Sequence, residues 1–463
     1  MRTSTSQRQM GQAGLRNEEN SNAAPRSGKT RGKMEWPLIL FVGYLCSLAF
    51  EGPVRMIFSL ARLETLLYSR DVFTLIAIIW ATFQSQTRYT SKANLTSVLL
   101  YILICHSVLG LWLGHPLGST LFAIKIFLAL LLGTVCAGYL HTRKEFFVKF
   151  IIFLFAGCCF GVYLNVAAGT LPWEGVDFES AFGASTNLVW WAGGERRLPG
   201  FARVSTTTAA AIGLTGLFLM SYTKNQILKL LVLGVGVPAV YLTTSKGVIL
   251  SFLITGCWCF IPSGKIRKQT GIFLLWGSAL MAALLPFISA YFQPSPAFMR
   301  KMPGFLSSFA ERAAITWPKA IEDLNAWHLW LLGQGVGGIG GPLKYGHEYY
   351  RYNPIDNLFL YLFTIFGILG IFYYAFAAFR ISKIISQDNP FNLGLLAMGI
   401  HFFCYGITAH QLEDPLESMW FGMVIAYIPF SWYSGKASAQ PTLPEQEETP
   451  SKPKRLHRAR NHR

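Results

Sequence analysis

The chain has 463 residues, 52% hydrophobic and 14% charged, with a mean hydropathy of +0.37. Soluble domains carry roughly 25% charged residues, so this composition excludes a water-soluble core. It predicts an all-α integral membrane protein, because backbone in lipid must satisfy its own hydrogen bonds. The formal net charge is +17, and much of it lies in two polar tails: 1–35 and 436–463 each hold seven Lys/Arg against three Glu.

Residues 1–35 and 434–463 read as disordered basic tails, flanking a polytopic domain over 36–433. Basic tails beside apolar spans belong on the cytoplasmic side, near anionic lipid. No aromatic residues interleave with their charges, which argues against nucleic acid. The N-terminal polar stretch is too long for a secretory signal, so the first apolar run is read as a retained helix.

Twelve apolar runs follow: 36–53, 70–85, 95–114, 117–140, 146–167, 204–222, 225–243, 247–262, 269–291, 355–379, 391–410 and 416–433. Each approaches the length needed to cross the hydrocarbon. After the first, RMIFSLARLETLLYSR reads as a short interfacial helix. With the N-terminus inside, the inside loops carry Arg88 and Lys92; Arg143, Lys144 and Lys149; Lys224 and Lys229; Lys265, Arg267 and Lys268; Arg380 and Lys383. Every one is basic, as the positive-inside rule asks, so both termini are expected in the cytoplasm. Two outside loops are long, 168–203 and 292–354. All eight cysteines fall within apolar runs, which argues against a disulfide framework, and CxC at 257–259 reads as helix filling rather than a zinc site.

The first long loop ends in GGERRLPGFARVS (193–205), with Arg196, Arg197 and Arg203 at the mouth of a span. Such arginines either snorkel, pair with Glu195, or await an anion, for which their planar fork is suited. Lys246, in LTTSKGVIL (242–250), is a turn lysine or a second cation above the same place. The second loop holds FLSSFAERAAITWPKAIEDL (305–324). There Leu306, Phe309, Ala313, Trp317, Ile321 and Leu324 form one apolar helical face, which Pro318 bends or restarts. This helix is expected on the membrane or at the bundle mouth. Arg312 on its flank pairs with Glu311 or Glu322, is solvated, or meets phosphate. The run GQGVGGIGG (333–341) lacks the lysine of a P-loop; it is a flexible loop or an amide cradle. In NPIDN (353–357), Asp356 and Asn357 stand where helix N-caps are favoured. A carboxylate there can also accept a proton from a sugar hydroxyl. His347 and Arg351 are alternatives for base and phosphate contact. His410, Glu413 and Asp414 form a second acid and histidine group on the last outer loop. No metal motif is present.

The order of these features resembles the bacterial O-antigen ligase and polysaccharide polymerase superfamily. The residues that carry the likeness are Arg197-Leu-Pro-Gly200, Ser245-Lys246-Gly247, Arg312 with Trp317, Gly333-Gln-Gly335, Asp356-Asn357 and Gly367-Ile-Leu-Gly370, across 195–375. Ser205-Thr206 replaces a Pro-Asn pair, Lys246 replaces an arginine, and Asp356 stands where ligases carry histidine. The last difference points toward a polymerase.

The resemblance implies a GT-C-like membrane architecture and a metal-independent, inverting glycosyltransferase without cofactor, in the bacterial inner membrane. Its donor would be an undecaprenyl-diphosphate-linked glycan, joined to a glycan acceptor on the periplasmic side to build O-antigen, capsule or exopolysaccharide. A chain-length regulator or export complex is a candidate partner. Arg197, Arg203, Lys246, Arg312 and Arg351 would neutralise the diphosphate, and Asp356, His347 or Asn357 would serve the acceptor hydroxyl. The competing expectations are a ligase moving finished glycan to lipid A core or protein, a twelve-span transporter, and a non-catalytic assembly factor. Against transport, the long loops lie outside and the two halves show no repeat.

Overall fold

The computed structural model describes residues 36–427, apart from 89–90, 141, 181–182, 187–189, 193–194, 263, 293–294, 296–305, 347–352 and 387–388. The chain is mostly helical. In order the helices are α1 (Trp36–Ala49), α2 (Glu51–Leu60), α3 (Ser69–Arg88), α4 (Ser91–Trp112), α5 (Leu117–Ala137), α6 (Lys144–Ala168), α7 (Ser205–Tyr222), α8 (Gln226–Leu242), α9 (Lys246–Phe260) and α10 (Lys265–Phe292). There follow the short α11 (Ser307–Glu311), α12 (Trp317–Glu322) and α13 (Trp327–Leu332), then α14 (Leu358–Phe366), α15 (Ile368–Ser382), α16 (Pro390–Tyr405) and α17 (Pro415–Ala426). Two antiparallel hairpins occupy the first long loop: β1 (Asp177–Ser180) with β2 (Gly183–Thr186), and β3 (Trp190–Ala192) with β4 (Glu195–Arg197).

The membrane reading holds at the level of fold class, but the count of twelve spans is not reached. Among the described residues six helices are long and apolar enough to cross a bilayer, or seven if the bent pair α1–α2 counts as one. The cause is local. The helices α8, α9 and α16 have 17, 15 and 16 residues, and at ~1.5 Å per residue they fall short of a ~30 Å core. The expected span 355–379 is divided at Gly367, φ +60°, into α14 and α15, and its crossing length lies in Ile368–Ile385, one of the six. The segment expected as one short interfacial helix is divided among the end of α2, which is turned 88° from α1, a 3-10 turn over Glu64–Tyr68 and the start of α3.

Small residues let the helices meet closely. The helices α5 and α17 pack along most of their length. A Cβ at Gly133 would overlap the Met419 carbonyl oxygen, and one at Gly422 would overlap that of Leu130. Backbone-to-backbone approach of this kind is how apolar helices gain contact where no hydrophobic drive operates. The helix α7, built on STTTAAAIG, is buried on nearly all sides among α6, α8, α9 and α16.

The 306–324 region is not one continuous helix. It is α11, a π-turn over Arg312–Thr316 and α12, restarted at Trp317-Pro318. Trp317 is fully buried, and the segment packs on α10.

Candidate functional site

The mouth of the bundle opens into a polar cavity of about 450 Å³. Its lining includes Arg203, Asp356, His410, Glu413, Asp414, Tyr405 and Tyr345, together with Glu51, Arg55, Arg70, Lys125 and Lys344.

The loop 198–204 is fixed by α6 and α2. Gly200 holds φ +60° so close to Gly161 and Val162 that a side chain has no room. Trp173 Nε1 donates to the Gly200 carbonyl at 2.9 Å, and the Gly52 amide donates to the Phe201 carbonyl at 2.8 Å. Arg203 is thereby carried to Glu51, with Nε 4.0 Å from Oε2. On the other flank, the Leu198 amide donates to the Leu242 carbonyl at 3.3 Å, tying Arg197 to the end of α8. Arg197 is half-buried; burial lowers its pKa, the nearby Tyr405 opposes this, and Arg312 lowers it further. Arg196 is committed elsewhere: it pairs with Glu174, which also accepts from Asn165 at 2.7 Å and the Leu171 amide at 3.1 Å. The expected partner Glu195 is not the one used.

Asp356 and Asn357 divide the two roles that the sequence left open. Asn357 is the N-cap of α14: its Oδ1 accepts from the Leu360 amide at 2.8 Å. Its Nδ2 donates to Ala282 and Ile407 carbonyls at 3.0 and 3.1 Å, so this buried amide is consumed by structure. Asp356 instead has φ +37°, in the left-handed region that costs non-glycine residues energy. Its carboxylate faces the cavity. Arg312 Nε donates to Oδ2 at 3.0 Å, and His410 Nδ1 lies 3.5 Å from Oδ1. Arg312 therefore reaches Asp356 across 44 residues rather than Glu311 or Glu322 beside it. The π-turn points it there, and such turns often mark functional sites.

His410 joins Asp356 to Glu413, whose Oε2 is 3.1 Å from Nε2. Tyr361 stacks on the ring at 5.1 Å between centroids. The Asp356 amide also points at Nδ1 at 3.1 Å, a contact that only a neutral ring accepts. Burial opposes charge, but Glu413 and Asp356 outweigh it and push the histidine up to about 10. Two carboxylates within 3.5 Å outweigh one amide dipole, so the charged ring prevails, with Nδ1–H turned to the Asp356 carboxylate. Burial raises the Asp356 pKa, yet its bond to His410 and the Arg312 charge hold it below the usual value. Asp414 caps α17 through the Leu416 and Glu417 amides at 2.8 and 3.3 Å and accepts from Thr207. Burial raises its pKa in spite of these donors.

Several amides of the glycine run are committed to neighbouring backbone and to Glu413. The Gln334, Gly335 and Val336 amides donate to Thr364, Ile365 and His106 carbonyls, and the Gly341 amide donates to Glu413 at 3.0 Å. Lys246 is exposed at the start of α9, outside the cavity lining; the adjacent Gly247 packs on Tyr405 and Thr408. His347 and Arg351 lie outside the described residues. Sequence reasoning passed over Glu51, Arg55, Arg70 and Lys125. The signal was there, since charges inside apolar spans are functional candidates by default.

Among the described residues no group of three or more His, Cys, Asp or Glu side chains is placed to hold a metal ion. No protein-family model, curated protein or solved structure matches this chain.

Proposed function

We propose that this membrane protein is a glycosyltransferase that polymerises undecaprenyl-diphosphate-linked repeat units on the outer face of a bacterial inner membrane. The expected twelve-span, GT-C-like architecture belongs to the same proposal, with the short helices completing the crossings. The observation that carries it is Asp356, held in a strained conformation between Arg312 and His410 at the rim of a cavity that also presents Arg203. Arg197 is close enough to sense the Arg312 charge.

In this reading the acceptor hydroxyl binds to the Asp356 carboxylate. Its oxygen attacks the anomeric carbon, the bond from that carbon to the diphosphate oxygen breaks, and the electron pair leaves with the diphosphate. Arg312, Arg197 and Arg203 neutralise the leaving charge, as preorganised donors do elsewhere. Arg351 is a further candidate for that task, and His347 for the base. The hydroxyl proton passes to Asp356. A carboxylate held at low pKa is a weak base, which suits a late transfer, once positive charge has built up on the sugar. The anomeric centre inverts.

The test is deletion of the gene, with separation of surface and lipid-linked glycans by size, and complementation with Arg312→Ala and Asp356→Ala. Polymerase activity leaves single repeat units and no ladder in the deletion strain. Each variant then lowers the rate about 10²–10³-fold. Long chains held on the lipid carrier would identify a ligase instead. Full rescue by both variants would remove the site from the chemistry.

A further inference from the structure

The short turn Gln411–Glu413 and the first turn of α17 form one wall of the cavity, next to His410. Every amide at the start of α17 is already committed. Pro415 has none, the Leu416 and Glu417 amides donate to Asp414 Oδ1 at 2.8 and 3.3 Å, and the Ser418 amide donates to the Asp414 carbonyl at 2.9 Å. A glutamate at this place in a helix often reaches back to the amide of the capping residue. Here the Asp414 amide donates to the Gln411 carbonyl at 3.3 Å instead. Glu417 is thereby left without a backbone donor: it is 3% exposed, and its Oε2 is buried with no hydrogen-bond partner. Gln411 shows the same lack. Its Nε2 donates to the Phe402 carbonyl at 2.8 Å, which makes Oε1 the other end of the amide, and Oε1 is buried without a partner. Both residues line the cavity. Buried acceptors without donors are costly and rare, and each asks for a group that completes it.

What these two oxygens need is a donor, and its chemistry is constrained. The lining as a whole sets five acids against five Lys and Arg side chains, so it does not select for an ion of either sign. A wall of acceptors repels a diphosphate. A polyol fits, being neutral and rich in O–H donors. We infer that Gln411 and Glu417 form the hydroxyl-reading wall of the site and receive O–H donors from the sugar beside Asp356. This rests on the reading of the substrate as a lipid-linked glycan. His410 precedes Gln411 in the chain and lies 3.5 Å from Asp356, so the wall is continuous with that carboxylate. The diphosphate then lies toward Arg203 and Arg312, and the sugar toward α17. A site that pairs buried acceptors with substrate hydroxyls rejects an analogue that lacks them, because the acceptors are then left bare. Gln411 and Glu417 therefore govern which sugar is accepted.

The experiment is titration of the full-length protein, in nanodiscs of neutral phosphatidylcholine, with two probes. One is the oligosaccharide repeat unit released from the cell's surface polysaccharide; the other is farnesyl diphosphate, which carries no sugar. Wild type is expected to bind both. Glu417→Leu should weaken the oligosaccharide about 10–100-fold, as for the loss of a hydrogen bond to a charged group, and leave farnesyl diphosphate unchanged. It should also raise the melting temperature, because it removes a buried carboxyl that lacks a donor. Glu417→Gln, which keeps one acceptor oxygen, should lose less binding. Gln411→Leu should weaken the oligosaccharide too, at some cost in stability, since it gives up the bond to Phe402. Oligosaccharide binding at wild-type strength in both leucine variants overturns the wall. So does a lower melting temperature in Glu417→Leu with both probes lost, which would mean that the carboxyl has a structural partner. If wild type binds the oligosaccharide but not farnesyl diphosphate, the wall stands and the lipid-diphosphate reading fails. If it binds farnesyl diphosphate alone, the wall fails and that reading stands; binding of neither sinks both. Displacement of one probe by the other would place the sugar on the donor, and simultaneous binding would place it on the acceptor, with the wall standing in each case.

Discussion

At the scale of single residues, the site turns on what each polar group is already bonded to. Asn357 and Asp356 are neighbours with similar side chains, yet one amide is filled by three partners and the other group faces a cavity. The same contrast separates Arg196, held by a buried Glu174, from Arg312, which reaches Asp356. His410 gives this network a pH signature. Its pKa rises from 6.5 to about 10 on folding. A raised pKa contributes stability that is complete below the unfolded value and is lost as pH climbs through the folded one. Thermal unfolding in detergent should therefore show a melting temperature that falls between about pH 6.5 and about pH 10. His410→Gln should flatten that fall relative to wild type; an unchanged slope would mean that the ring is neutral throughout.

At the scale of elements, close approach rather than propensity sets the frame of the site. Where α5 meets α17, glycines face carbonyl oxygens in both directions. The helix α5 carries Lys125 into the cavity on one side of this seam, and α17 begins at the Asp414 cap. Gly422→Val forces the seam apart. Overpacking of this kind costs about 1–3 kcal/mol, and a clash with backbone places this case toward the upper end. The check is the melting temperature of purified protein, which should fall. A variant as stable as wild type would show that the helices are less tightly joined than described.

At the scale of the whole molecule, the crossing of the shorter helices is tested at α9. Lys246 and Lys265 bound the ends of α9 and its following turn. If α9 crosses, as the positive-inside reading of the sequence expects, single cysteines replacing these lysines react with an impermeant maleimide from opposite faces of intact cells and inverted vesicles. Labelling of both from one face would make α8–α9 a re-entrant pair.

The sequence by itself determined the membrane class, since composition and apolar run length are properties of the chain alone. It also marked the arginine-rich loop end, Arg312, Asp356 and the His410 loop, because polar residues beside apolar runs stand out one at a time. Run length alone did not show that α9 stops at 15 residues, so among the described residues six or seven helices reach crossing length where twelve runs were read. The sequence left Asp356 and Asn357 undivided, left Arg312 open between its chain neighbours, solvent and phosphate, and missed Glu51, Arg55, Arg70 and Lys125. Only the tertiary structure decided those, because pairs such as Arg312–Asp356 and Arg203–Glu51 join segments far apart in the chain. Which charge meets which is set by helix packing around the cavity, and local pattern carries no record of that packing.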